Sequence, residues 1–129
     1  LPSRRNDRAE VCQIEPYVYC SNMLAAPHDR AGVCVNSWLT GTASWMHVAV
    51  TQYILGIRPE YEGLCIDPCI PAQWPGFTAT RVCRGVTCHI CVKRGETAGL
   101  KVDGRSLEGN IIPWSWFDGR KELNITCCL

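Results

Sequence analysis

The stretch NSWLTGTASWMHVAVTQYILG, residues 36–56, predicts a loop that leads into one long buried helix. The predicted helix runs over residues 42–55, and Gly56 is well placed as its C-terminal stop. Apolar side chains cover most of the circumference of this helix, which is typical of burial on more than one side. These side chains are Trp45, Met46, Val48, Ala49, Val50, Tyr53 and Ile54.

The start of this helix offers a binding position for an anion. Thr40, Gly41 and Thr42 lie where the helix would begin. A helix start exposes backbone N–H groups without intrahelical partners and carries a partial positive charge. Threonine is a good N-cap residue, and glycine lets an anion come close to the backbone. The stretch therefore predicts both an anchor for the core and a possible anion site.

The composition is that of a globular protein. The chain has 129 residues, of which 47% are hydrophobic and 19% charged. This length fits one typical domain, or parts of two, and allows a real core. A net charge of +1 gives no electrostatic case for binding nucleic acid or an acidic membrane. No apolar run approaches the roughly 20 residues that span a bilayer. The first ten residues contain no apolar signal segment, so we expect a cytoplasmic location.

Ten cysteines are the strongest compositional signal. In a short secreted chain they would suggest a disulfide framework. Five tryptophans and several long apolar runs nevertheless allow a core without disulfides. Cys20, Cys88 and Cys91 also fall inside predicted helix and strand, where cysteine acts as a small hydrophobe. We therefore expect reduced thiols, many of them buried.

The remainder of the first half is less regular. Residues 15–24 predict a short helix with Pro16 in its first turn, where a missing N–H costs nothing. Residues 25–35 contain Pro27, Asp29 and Gly32 and predict a surface loop.

The second half predicts strands and turns. Proline and glycine interrupt residues 59–76 too often for another helix. Residues 86–92 alternate, with Val86, Cys88, Ile90 and Val92 on one face. Asp103-Gly104 and Asp118-Gly119 are hairpin signals. We therefore expect an antiparallel β unit, with a sheet packed on another sheet and a domain boundary near residues 56–60.

No complete metal or catalytic set is evident from the spacing of the residues. Cys65-x3-Cys69 and Cys88-x2-Cys91 are similar to two zinc half-sites. In a strand, however, Cys88 and Cys91 would face opposite sides, so we expect no metal site. His28, His47 and His89 are scattered, and no serine or cysteine stands at a recognisable nucleophile spacing. No carboxylate pair suggests a hydrolase.

Six blocks of sequence carry a resemblance to a known family. They are EPYVYC, NSWLTGTASW, TQYILGIRPEYEGL, IDPCIPAQWPGF, TRVCRG and VDGRSLEGNIIP. The chain resembles the C-terminal part of the cellobiose phosphorylase family, the inverting disaccharide phosphorylases of glycoside hydrolase family 94, formerly glycosyltransferase family 36. The resemblance implies an α+β fragment: residues 1–57 as the last helices of an (α/α)6 barrel and residues 58–129 as a C-terminal β-sandwich.

The resemblance also implies a reaction and its participants. Members reversibly cleave a β-glucosidic disaccharide with inorganic phosphate, giving an α-sugar 1-phosphate and a free sugar. It implies that Thr40 and Gly41 help to hold phosphate, which agrees with the anion argument above. The general acid of the family lies in an Asp-Trp-Asn segment upstream, so this chain contributes no catalytic residue and should not catalyse alone. The resemblance implies no cofactor or metal, cellobiose as the leading substrate, and a homodimeric parent enzyme.

Two departures from the family pattern accompany the resemblance. The family usually has glutamine after EPYVYC, where it helps to hold the sugar, and Ser21 stands there in this chain. Cys83 and Cys88 replace a phenylalanine and a tyrosine, which removes aromatic volume from a predicted core position. These departures leave open a decayed or truncated family member.

Two further alternatives remain at this point. The first is a β-sandwich module that binds carbohydrate without catalysis, with Trp74, Trp114 and Trp116 as candidate sugar-binding aromatics. The second is a secreted disulfide-rich protein.

Overall fold

The structure, a computed structural model, describes residues 9–15, 18–39 and 41–129. The chain forms two compact units that divide between Val48 and Ala49. Most of the regular structure is β-sheet with few helices, in agreement with the α+β class. The (α/α)6 barrel and the domain limits 1–57 and 58–129 stay predictions.

The first unit contains two short helices and a two-stranded sheet. Helix α1 is Ala9–Cys12, strand β1 is Cys20–Met23, strand β2 is Cys34–Ser37 and helix α2 is Thr42–Val48. β1 and β2 pair antiparallel, with Cys20 opposite Ser37. A strand at β1 means that the helix predicted over residues 15–24 is wrong, although Pro16 and Tyr17 lie outside the described residues. Pairing with β2 is a tertiary interaction, and it outweighs the local helix-start signal.

The second unit begins with a short helix and continues as β-structure. A π-helix spans Ala49–Ile54, and a 3₁₀ helix spans Trp114–Trp116. The strands are β3 Ile57–Pro59, β4 Gly63–Ile66, β5 Gly76–Cys83, β6 Val86–Lys93, β7 Gly99–Val102, β8 Arg105–Leu107, β9 Ile111–Pro113 and β10 Glu122–Cys128.

These strands form two sheets that share one core. One sheet has the order β5-β6-β10-β7-β8, and the other has the order β3-β4-β9. The buried cluster takes Ile57, Leu64, Ile66 and Ile112 from the smaller sheet. From the larger sheet it takes, among others, Val86, Cys88, Ile90, Val92, Leu100, Val102, Leu123, Ile125 and Cys127. Burial of these apolar side chains is the main force that holds the two sheets together.

The alternation predicted for residues 86–92 is confirmed. β6 alternates between buried and more exposed positions, with Val86, Cys88, Ile90 and Val92 buried. Cys91 is exposed, so Cys88 and Cys91 face opposite sides of the strand as expected. Cys83 is buried as well. Cys83 and Cys88 therefore both occupy core positions.

The purely antiparallel sheet predicted for the second half is wrong. β10 pairs antiparallel with β7 but parallel with β6. The two strands β6 and β7 are successive in the chain, yet they are not hydrogen-bonded neighbours, because β10 lies between them. Alternation identifies a strand and its inner face, but it carries no information about which strand becomes the partner.

One of the two predicted hairpins forms. Asp103-Gly104 joins β7 to β8, which pair antiparallel with Val102 opposite Arg105. Asp118-Gly119 is a turn, but no hairpin surrounds it, because the 3₁₀ helix precedes it and β10 pairs with β6 and β7 instead. An Asp-Gly pair favours positive φ, which both glycines adopt. A hairpin requires in addition that both flanking segments are extended.

The prediction of a buried helix at residues 42–55 is correct in position and wrong in burial. Helical structure covers Thr42–Val48 and Ala49–Ile54, but neither segment contains a buried residue. Trp45 is 75% exposed and Tyr53 is 59% exposed. An all-round apolar pattern shows that a helix is suited to burial, but it does not provide the surface that would cover it.

Truncation of a side chain in the central strand should weaken the whole second unit. Leu123→Ala removes a 0% exposed side chain of β10 and leaves a cavity, which should cost about 2–5 kcal/mol of unfolding free energy. Urea denaturation measures this change. Val82→Ala is the matched control, since Val82 is 67% exposed and should change stability by less than about 0.5 kcal/mol. Equal losses in the two variants would contradict the position of β10.

The cysteines should react in two groups. All ten lie within the described residues and are free, and Cys69 and Cys91 are exposed. A water-soluble thiol reagent should modify these two first in the native protein and all ten after denaturation. Mass spectrometry of peptides counts and locates the modified thiols. Fewer than ten reactive thiols in the denatured, unreduced protein would support the disulfide-rich alternative instead.

Candidate functional site

The predicted phosphate-binding residues lie just before helix α2. Of these, Thr40 lies outside the described residues. Gly41 is an exposed turn residue immediately before Thr42. The carbonyl oxygen of Gly41 accepts hydrogen bonds from Ser44 Oγ at 2.8 Å and from the Trp45 backbone N–H at 3.2 Å.

The absence of a side chain at Gly41 leaves its backbone accessible. A Cβ atom built on Gly41 would have the Trp45 indole ring as its nearest neighbour, at 3.7 Å, an ordinary van der Waals distance. Alanine would therefore fit within this chain without strain, so packing does not account for glycine here. The geometry is compatible with close approach of a ligand, and the role of Gly41 in phosphate binding stays a prediction.

Ser21, for which the resemblance predicts a sugar-binding position, lies in strand β1. Its side chain is exposed. The neighbouring residue Cys20 is opposite Ser37, the last residue of β2, and the chain continues from Ser37 towards Gly41. Both predicted ligand-binding positions that the structure describes therefore belong to the same unit and to adjoining segments. A role for Ser21 in holding a sugar stays a prediction.

Two of the buried thiols, those of Cys34 and Cys65, have raised pKa values. Among the residues that the structure describes, no group of three or more His, Cys, Asp or Glu side chains could hold a metal ion. Burial, together with the nearby thiols of Cys20 and Cys12, raises the pKa of Cys34 to about 12. Burial also raises the pKa of Cys65. Protonated thiols are poor ligands and poor nucleophiles, so these cysteines act as small core side chains.

The three tryptophans proposed as sugar-binding aromatics have different surroundings. Trp114 donates its indole N–H to the carbonyl oxygens of Glu60 and Tyr61, both at 3.1 Å, and packs edge-on against Phe117. The guanidinium of Arg84 lies 4.2 Å from the Trp114 ring centre, so this ring is committed to packing. Trp74 is 44% exposed.

Trp116 lines a cleft in the second unit. The cleft, which we call the Asp-Gly-Arg cleft, has a volume of about 420 Å³. Its lining residues are Val102, Asp103, Arg105, Ser115, Trp116, Asp118 and Arg120. One wall is the β7–β8 turn, and the opposite wall is the 3₁₀ helix with the turn that follows it. The volume lies within the roughly 300–1,000 Å³ typical of small-molecule sites.

Two charged groups of the cleft, Asp103 and Arg120, form an ion pair. The Asp103 carboxylate accepts a hydrogen bond from the Asn124 backbone N–H at 2.9 Å, and Arg120 Nη1 lies 3.3 Å from its other oxygen. The Asn124 backbone hydrogen bond lowers the pKa of Asp103 despite the opposing effect of partial burial. The Asn124 side-chain amide and the charge of Arg120 lower it further. The Arg105 guanidinium lies 5.0 Å from the Trp116 ring centre.

Trp116 is one of the three candidate aromatics predicted from the sequence, whereas the cleft and its charged residues were not predicted. The signal was present: the chain contains the triplet Asp-Gly-Arg twice, at residues 103–105 and 118–120. Taken alone, each Asp-Gly pair predicts only a hairpin turn. The ion pair between Asp103 and Arg120 joins the two triplets, and this long-range contact is not visible from either triplet alone.

Comparison with known proteins confirms the resemblance. Residues 1–56 match the family described as the glycosyl hydrolase 94 superfamily, catalytic domain. The chain is 41% identical over 117 residues to an N,N′-diacetylchitobiose phosphorylase of Vibrio proteolyticus, which covers 87% of this chain and 15% of that protein. It is 44% identical over 111 residues to the protein of the same name from Vibrio furnissii, covering 86% of this chain and 14% of that protein.

A phosphorylase named for a different sugar is also similar. The chain is 37% identical over 118 residues to a solabiose phosphorylase of Paenibacillus borealis, covering 88% of this chain and 15% of that protein. The chain thus spans only about one-seventh of the length of these curated relatives.

Among the described residues, no helix has the length and apolar character needed to cross a membrane.

The ionised Asp103 carboxylate should stabilise the fold in a pH-dependent way. The pKa of Asp103 is lower in the folded state than in the unfolded state. The carboxylate therefore contributes its full stabilisation of the fold above the unfolded-state pKa of about 3.9. This stabilisation is lost as the pH falls through the folded-state pKa. Asp103→Asn keeps the shape without the titration. The stability difference between the two proteins, measured by urea denaturation, should shrink from about pH 7 to about pH 3. A difference independent of pH would contradict this assignment.

Proposed function

We propose that this chain, which belongs to glycoside hydrolase family 94, is the C-terminal part of an inverting disaccharide phosphorylase. The parent enzyme would cleave a β-linked disaccharide reversibly with inorganic phosphate, giving an α-sugar 1-phosphate and a free sugar. It would need no cofactor beyond phosphate as co-substrate. We further propose a cytoplasmic homodimer, as the family resemblance implies.

One observation carries this proposal. The similarity to phosphorylases extends over 86–88% of the chain, across both structural units. This similarity is not confined to one short motif. It continues beyond residue 56, where the match to the family's catalytic domain ends. Similarity of this extent supports a common fold and a common role for corresponding segments.

In this proposal the chain supplies one side of the phosphate site. The backbone at Gly41 approaches the anion closely because no side chain intervenes, and the start of helix α2 favours negative charge. The general acid would lie in the part of the parent enzyme that precedes this chain. That acid would protonate the leaving glycosidic oxygen while phosphate attacks from the opposite face, as water does in an inverting hydrolase.

The disaccharide is proposed from the relatives. The sequence alone favours cellobiose, whereas two relatives at 41% and 44% identity are named for N,N′-diacetylchitobiose. Cellobiose and N,N′-diacetylchitobiose are both β-linked disaccharides, and they differ in the substituent at the 2-position of each ring. We propose N,N′-diacetylchitobiose as the first substrate to test, with cellobiose as the second.

A chimaera tests the proposed function. This chain replaces the segment of the Vibrio proteolyticus phosphorylase that it matches, and release of sugar 1-phosphate is measured with each disaccharide. We expect phosphorolysis by the folded chimaera and none by the isolated chain, which lacks a general acid. Sugar 1-phosphate from the isolated chain, or a folded chimaera without activity, would contradict the proposal.

The phosphate role of Gly41 is tested in the same chimaera. Gly41→Val places a branched side chain where the anion would lie, so the KM for phosphate should rise about 10-fold or more, the equivalent of one lost hydrogen bond to a charged group. The KM for the disaccharide should change little. Val82→Ala, an exposed change elsewhere, is the control. An unchanged phosphate KM in Gly41→Val would exclude Gly41 from the phosphate site.

A further inference from the structure

The two Asp-Gly-Arg triplets, residues 103–105 and 118–120, have the same local sequence but different surroundings. An aspartate followed by glycine is chemically labile, because the glycine nitrogen can attack the side-chain carboxyl carbon. Glycine has no Cβ atom that would hinder this approach. Since both triplets consist of the same three residues, a difference in reactivity that exists only in the folded chain comes from the fold.

The fold holds the first aspartate, Asp103, through several contacts. One carboxylate oxygen accepts hydrogen bonds from the Asn124 backbone N–H at 2.9 Å and from the Asn124 side-chain amide at 3.3 Å. The other oxygen lies 3.3 Å from Arg120 Nη1. The Asp103 N–H also donates to the Asn124 carbonyl oxygen at 2.8 Å. Attack by the Gly104 nitrogen would require the carboxyl group to leave these partners.

The ionisation of Asp103 protects it further. A carboxyl group loses its oxygen as water more easily when it is protonated than when it is a carboxylate. The backbone hydrogen bond from Asn124 lowers the pKa of Asp103 and so keeps this group ionised. The contacts and the charge therefore both oppose reaction at Asp103.

The second aspartate, Asp118, has no such restraint. Its side chain is exposed, and among the described residues no hydrogen bond or ion pair holds its carboxylate. The turn that contains it is closed by the Arg120 N–H, which donates to the Phe117 carbonyl oxygen at 3.1 Å. A Cβ atom built on Gly119 would have no neighbour within 4 Å, so the space beside the attacking nitrogen is open. The Asp118 carboxyl group can therefore turn towards the Gly119 nitrogen without breaking a contact.

We propose that Asp118 is a site of spontaneous isomerisation through a cyclic succinimide with the Gly119 nitrogen, and that the fold protects Asp103 from the same reaction. A bond forms between the Gly119 nitrogen and the Asp118 carboxyl carbon, and the amide proton leaves with the carboxyl oxygen as one water molecule. Water then opens the ring at either carbonyl and restores aspartate or gives isoaspartate. The reaction consumes no co-reactant besides water, and it does not depend on the proposed phosphorolysis.

The test is incubation of the full 129-residue chain in H₂¹⁸O with a reducing agent, at neutral pH and physiological temperature. Each first passage through the succinimide introduces one ¹⁸O atom, whichever product forms. Trypsin digestion in ordinary water then separates the two sites into the peptides 102–105 and 106–120. Fragment-ion mass spectrometry locates the label. We expect label at residue 118 to appear about 10-fold or more faster than at residue 103, the equivalent of one lost hydrogen bond to a charged group.

Unfolding provides the matched control. In concentrated urea the contacts of Asp103 are lost, so the two triplets should take up ¹⁸O at similar rates. Asp118→Glu is the second control, because a glutamate side chain would have to form a six-membered ring, which closes far more slowly. This exposed change should leave the fold intact and remove the label at residue 118.

Three results would overturn the proposal. The first is the absence of ¹⁸O at residue 118 in the folded chain after label has appeared in the unfolded chain. The second is labelling of residues 103 and 118 at the same rate in the folded chain. The third is a rate ratio that urea leaves unchanged, which would assign the difference to the flanking sequence instead of the fold.

Discussion

The arrangement of the second unit depends on the insertion of strand β10 between β6 and β7. β10 forms hydrogen bonds on both edges, parallel to β6 and antiparallel to β7. Its inward side chains Leu123, Ile125 and Cys127 are buried in the core that both sheets share. Without β10, the strands β6 and β7 would have no common neighbour, and the larger sheet would separate into two hairpins.

The same strand positions the Asp-Gly-Arg cleft. Asn124 of β10 donates a backbone hydrogen bond to Asp103 at the tip of the β7–β8 hairpin, and Asp103 N–H donates to the Asn124 carbonyl oxygen at 2.8 Å. The hairpin is thereby tied to the centre of the sheet on one side and to Arg120 on the other. Packing and site geometry are therefore coupled, because a shift of β10 would move both.

Local patterns in the sequence predicted local structure well. The alternation of residues 86–92 and the Asp103-Gly104 turn each depend on a few neighbouring residues, and both are confirmed. Features that depend on distant partners were not predictable: the strand at Cys20–Met23, the parallel pairing of β10, and the exposure of Trp45. For the candidate site, the resemblance named Gly41 and Thr40, while the cleft required the contact between Asp103 and Arg120.

Amide hydrogen exchange of β10 tests the central role of this strand most directly. A strand paired on both edges and buried on one face should open only with global unfolding of its unit. We predict that the amides of residues 123–127 exchange among the slowest in residues 49–129, and more slowly than those of the edge strands β5 and β8. Exchange of the β10 amides as fast as in β5 or β8 would contradict the account.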